Sequence, residues 1–146
     1  MSFRIAVNMD GVQELRDKLK RMAEESRGEI LREAAEDGAS EFLGAARANA
    51  PVLKRPDPRR VVGNLRDRIK LFVLKRQPGR VAVGVGLGRS DIRAKINGAF
   101  YALWVEYGTA KMDAMPFLRP AFDSRSSAAS SRTIAKFREW VEGFAG

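Results

Sequence analysis

The sequence predicts an α+β domain: a twisted, mainly antiparallel sheet with one long helix packed on a face, plus short N-terminal and C-terminal helices. Three observations lead there. Residues 3–9 and two segments near 68–76 and 81–87 alternate side chains with the period of half-buried strands. Residues 26–50 repeat apolar side chains at helical spacing. The length of 146 residues fits one domain, 1–146, that buries roughly two-thirds of its unfolded surface and needs no metal or disulfide staple.

Phe3, Ile5, Val7 and Met9 share one face of the first strand, and Asp10-Gly11 breaks it. Asp10 is placed to cap a short amphipathic helix carrying Val12, Leu15, Leu19 and Met22. The long helix follows from about Ser26, which has capping-box spacing to Glu29. Its stripe includes Ile30, Ala34, Gly38, Phe42 and Ala46, small enough for close approach to a sheet. Asn49-Ala50-Pro51 ends it, because the residue before Pro is pushed out of the helical region.

Residues 52–63 read as an extended basic loop stiffened by Pro56 and Pro58. An antiparallel hairpin follows, with its turn at Gln77-Pro78-Gly79-Arg80. One face of its second strand carries Val81, Val83, Val85 and Leu87. The other is nearly bare backbone at Gly84, Gly86 and Gly88, suited to the Ala-rich helix or to a neighbouring subunit. Residues 88–98 are polar and are expected to be a mobile loop. Phe100, Leu103, Trp104 and Tyr107 fit one helical stripe, which Gly108 ends. Pro116 is expected in the first turn of a short helix reaching about Asp123. Residues 124–131 read as a polar linker to a last helix, about 131–144, with Ile134, Phe137, Trp140, Val141 and Phe144 on one face.

The chain has no Cys and no His, which removes thiolate nucleophiles, Cys/His zinc sites, Ser-His-Asp triads and histidine bases. No apolar run approaches the ~18 residues that span a bilayer, and Met1-Ser2-Phe3-Arg4 lacks the layout of a secretion signal. The net charge is +9 and unevenly placed. Residues 14–41 carry six basic and nine acidic side chains, whereas residues 54–76 carry nine basic and two acidic. Lys54, Arg55, Arg59, Arg60, Arg66 and Arg68 form a candidate docking surface for phosphate or carboxylates, or else a solvated loop.

Gly84-Val-Gly-Leu-Gly88 is followed by neither a helix start nor Gly-Lys-Ser/Thr, so it reads as close packing rather than a phosphate cradle. The carboxylates of the long helix intersperse with Arg and Lys, as on a solvated face. Phe72, Tyr101, Trp104 and Tyr107 could stack on bases, but core packing is the expected role. No catalytic, cofactor-binding or metal-ligating residue is expected, and the protein reads as a non-enzyme.

Two segments carry a family resemblance. Tyr101-Ala-Leu-Trp-Val-Glu106-Tyr107-Gly108-Thr109 and Met115-Pro116-Phe117-Leu118-Arg119-Pro120-Ala121-Phe122 stand in order and at a fitting distance. They resemble the tail-completion, or head–tail joining, proteins of long-tailed bacteriophages, also called neck or minor tail proteins. Gly11, Glu14, Leu15 and Leu19, the Ala48-Asn-Ala-Pro51 helix end, and Gly63-Asn-Leu65 agree more loosely. The stretch from Pro51 to Gly63 is longer than is usual there.

The resemblance implies a structural assembly protein in the virion neck, acting as a hexameric ring between connector and tail tube. The implied partners are copies of itself, the connector, and tail-tube or tail-terminator proteins. DNA passes nearby without specific binding, no membrane is involved, and host cytoplasm is the setting during assembly. The alternative is a basic nucleic-acid-binding protein acting by phosphate neutralisation. Tyr107, Gly108, Thr109, Pro116 and Phe117 are the candidate motif and interface positions. A bidentate Glu106–Arg119 pair is expected to clamp the ends of loop 108–115, since a cation in a first helical turn needs compensation.

Overall fold

The computed structural model describes residues 24–52, 54, 58, 61–77, 79–93 and 99–145. The expected strand at 3–9 and helix at 12–22 lie outside the described residues. Helix α1 spans Glu24–Asn49 and helix α2 spans Asn64–Arg68. Strands β1, Lys70–Gln77, and β2, Arg80–Gly86, form a two-stranded antiparallel sheet. Two short helices, α3 (Arg89–Arg93) and α4 (Ala102–Tyr107), precede the long helix α5 (Leu118–Ala145).

The α1 prediction holds to within two residues at its start and one at its end, with Ser26 inside the helix rather than at its cap. Ile30, Ala34, Phe42 and Ala46 are buried as the stripe requires. The small residues, however, meet a helix more than a sheet. A Cβ on Gly38 would collide with Thr133 Oγ1 and would lie 2.7 Å from the Ala129 carbonyl oxygen of α5. The two long helices are antiparallel, since partners descend α5 as they ascend α1. Trp140 Nε1 donates to Glu33 at 3.3 Å, Arg132 holds Asp37 and Glu41, and the Phe122 ring lies 4.5 Å from Phe42.

The expected linker at 124–131 is instead helical throughout, inside α5. Nothing in it breaks a helix; Ser124 Oγ donates to the Ala121 carbonyl, and just beyond the segment Thr133 Oγ1 donates to the Ala129 carbonyl. Ala129, 1% exposed, packs on Ala39 and Phe42, and Arg125 and Arg132 reach carboxylates of α1. Packing and pairing thus outweigh the modest propensity of Ser. Of the expected C-terminal stripe, Val141 is buried while Ile134 remains exposed.

The hairpin pairs Lys70 with Gly86 through Gln77 with Arg80, and a bulge leaves Leu74 without a partner. Leu71, Val83 and Val85 face Ala39, Phe42 and Ala129. The bare face of β2 is covered by its own partner strand: a Cβ on Gly84 would lie 2.8 Å from Leu74 Cδ1. The main core gathers Ala46, Leu65, Ile69, Val105, Phe117 and Ala121 where α1, α2, α4 and α5 meet. Arg47 ties α1 to the entry of β1, donating from Nε and Nη2 to the Ile69 carbonyl at 3.1 and 2.8 Å.

Candidate functional site

The two motif segments fold into one unit, built around the short helix α4. Its Ala102 and Val105 are buried, and the C-terminal turn places Glu106, 9% exposed, against the start of α5. There the carboxylate accepts hydrogen bonds from three successive backbone N–H groups. Oε2 takes those of Phe117 and Leu118 at 2.8 and 3.0 Å, and Oε1 takes that of Arg119 at 3.0 Å. A helix leaves its first four N–H groups without intrahelical partners. The fourth position here is Pro120, which has no N–H, so one side chain satisfies the whole set. A negative charge at this end is also favoured by the helix dipole.

This geometry corrects the expected clamp. Glu106 does join the two ends of the loop, but through the Arg119 backbone and not its guanidinium. The Arg119 side chain instead lies over the Tyr107 ring, 5.9 Å from its centroid. Pro116 is likewise displaced from its expected place, because α5 begins at Leu118 and Pro116 ends the extended approach to it. Phe117 is completely buried and anchors the turn, as expected.

Between the segments, the chain makes a tight exposed excursion. Gly108 has φ 75°, and a Cβ there would lie 2.9 Å from Ala114 N and 3.0 Å from the Met112 carbonyl oxygen. Glycine is thus required by both conformation and space. Thr109 and Met112 form an antiparallel bridge, and Met115 N donates to the Val105 carbonyl at 2.8 Å.

The aromatic residues of α4 do not enter the core. Ala99, Ala102, Val105 and Glu106 face inward, which leaves Phe100, Leu103, Trp104 and Tyr107 each more than half exposed. A six-residue helix has one inner face, and here the small residues take it. The signal was present in the alternate stripe of small side chains, which periodicity alone does not rank against the aromatic one. Phe100 meets Trp104 edge-on at 5.6 Å. Beside this face a groove of about 380 Å³ runs between α4, the first turns of α5 and the hairpin. Phe72, Leu74, Phe100, Leu103, Tyr107 and Arg119 are among its lining residues.

The basic surface is only partly assembled. Lys54 and Arg66 are exposed, whereas Arg55, Arg59 and Arg60 lie outside the described residues. Arg68 is engaged internally, donating to Asn64 Oδ1 at 2.7 Å and to Asp91 Oδ1 at 3.0 Å. Lys70 stands 2.6 Å from Asp91 Oδ2. The hydrogen-bonded Lys70 ammonium, with Arg68 in support, holds the Asp91 carboxyl below the usual carboxylate range. Residues 89–93, expected in a mobile loop, are thereby a pinned helix, while residues 94–98 lie outside the described residues.

No described helix is long and apolar enough to cross a membrane. No curated protein and no solved structure matches the chain. Residues 13–108 match the family described as "Bacteriophage HK97-gp10, putative tail-component". The matched span takes in α1, the hairpin and the first motif segment through Gly108, about two-thirds of the sequence. The chain therefore belongs to the HK97-gp10-like family of bacteriophage tail components.

Proposed function

We propose that the protein is a subunit of a ring at the head–tail joint of a long-tailed phage particle, placed between connector and tail tube. Its partners in this reading are neighbouring copies, the connector and a tail-tube or tail-terminator protein. Its place is the virion neck, reached after assembly in the host cytoplasm. The observation that carries the reading is the family match taken with the unit around Glu106. That unit fixes an apolar helix face and a projecting loop rigidly on the surface, which suits permanent protein contacts. Each hairpin strand also has one edge unpaired among the described residues, able to accept a neighbour's backbone.

Deleting the gene from its phage and imaging the particles tests the proposal. DNA-filled heads and finished tails that fail to join, rescued by supplying the gene, are the expected result. Joined particles without the protein would refute it. Six-fold density in imaged necks is expected for the ring, and any other copy number would remove that part. Phosphate neutralisation, the second reading, requires duplex affinity that falls steeply between low and moderate salt. The internal pairing of Arg68 and Lys70 leaves fewer cations for it.

A further inference from the structure

We infer that the groove between α4 and the hairpin is a docking site for a partner segment whose apolar side chains are flanked by carboxylates; this rests on the reading of the protein as an assembly component. The apolar surface is of the size that monomers often use functionally. On the helix face at the groove's edge, half of the Phe100, Trp104 and Tyr107 side chains is alone about 300 Å², near the size of the largest patch a typical monomer exposes. Leu74 and Leu103, each about three-fifths exposed, extend it along the groove.

Charge selects the occupant. Arg119 is the one cation lining the groove among the described residues, and it has no carboxylate partner there. The elements around it add Arg80, Arg89 and Arg93. Of the carboxylates nearby, Glu106 is committed to the backbone of α5 and Asp91 to Arg68 and Lys70. A second copy would bring a net charge of +9 to this basic rim, which disfavours a second copy as the occupant of this groove. Single-stranded nucleic acid would need a row of cations along the groove, and aliphatic walls of Leu74, Val83, Leu87, Leu103 and Leu118 stand in their place. The partner segment sets its apolar side chains against Leu103 and Tyr107, and a carboxylate reaches the Arg119 guanidinium.

The test uses the full chain and three labelled probes read by fluorescence anisotropy: a synthetic peptide alternating Leu or Phe with Glu, the same peptide with Lys for Glu, and oligo-dT. The Glu peptide is expected to bind at least tenfold more tightly than the other two. Leu103→Asp, at an exposed position, should weaken it at least tenfold without changing the thermal melt. Arg119→Glu should transfer the preference to the Lys peptide. Equal binding of both peptides, tighter binding of oligo-dT, insensitivity to Leu103→Asp, or a dimer in sedimentation that Leu103→Asp abolishes would each overturn the assignment. Incorporation of Leu103→Asp protein into normal particles would refute the groove alone and leave the neck reading intact.

Discussion

The Glu106 carboxylate accepts the buried N–H of Phe117 at 2.8 Å, across eleven residues of chain. It goes on to satisfy Leu118 and Arg119, so the end of one helix caps the beginning of the next. Removing an acceptor from buried donors costs about 1–3 kcal/mol per group. Only the Phe117 contact is buried and the other two are partly buried and can recover water, so Glu106→Ala should lower unfolding stability by about 2–4 kcal/mol, measured in urea. Arg119→Gln should change it by no more than about 0.5 kcal/mol, as at most surface positions. The double mutant Glu106→Gln/Arg119→Gln should be additive within about 0.5 kcal/mol, because the Arg119 side chain takes no part in the cap. A larger coupling would restore the guanidinium clamp.

Two glycines should resist substitution for different reasons. Gly108→Ala places a side chain at φ 75° and against Ala114 N, and should cost about 1–3 kcal/mol. In Gly38→Ala, roughly 1 kcal/mol of helix propensity favours the change. The Ala129 carbonyl, 2.7 Å from the new Cβ, is backbone and cannot rotate away. Net destabilisation in a thermal melt is the expected outcome, and a higher melting temperature would show that the α1–α5 crossing is looser than described.

Acid should release the Asp91 contacts. Its carboxyl is held below the usual range, so its contribution to stability is complete above the unfolded value near 3.9. That contribution is lost as pH falls through the still lower folded value. The stability gap between wild type and Asp91→Asn should be widest near neutral pH and should close below about pH 4. A gap independent of pH would mean that the ion pairs with Lys70 and Arg68 contribute nothing.

Amide hydrogen exchange checks the helix at 124–131. Protection there should match the rest of α5, since Ala129 is buried against α1 and Arg132 bridges Asp37 and Glu41. Exchange at free-chain rates would return the segment to a linker.

Much of the fold was legible in the sequence because it is written in local patterns. The 3.6-residue stripe and Pro51 define α1, and alternation with a Pro-Gly turn defines the hairpin. The first motif segment, through Gly108, lies within the span that matches the family. That Glu106 and Arg119 lie close together was also readable, since only a short loop separates them.

Tertiary structure alone decided how those pieces are used. A serine-rich stretch is helix or linker depending on whether a second helix accepts its buried side, and α1 does so at Ala39 and Phe42. Two stripes compete for the inner face of a six-residue helix, and close packing under α5 admits Ala102 and Val105 while turning Phe100, Leu103 and Trp104 outward. A carboxylate next to an arginine pairs with the guanidinium or with free N–H groups according to where the backbone points. Here the start of α5 points at Glu106. These outcomes depend on contacts between segments distant in sequence, which periodicity, capping and spacing do not encode.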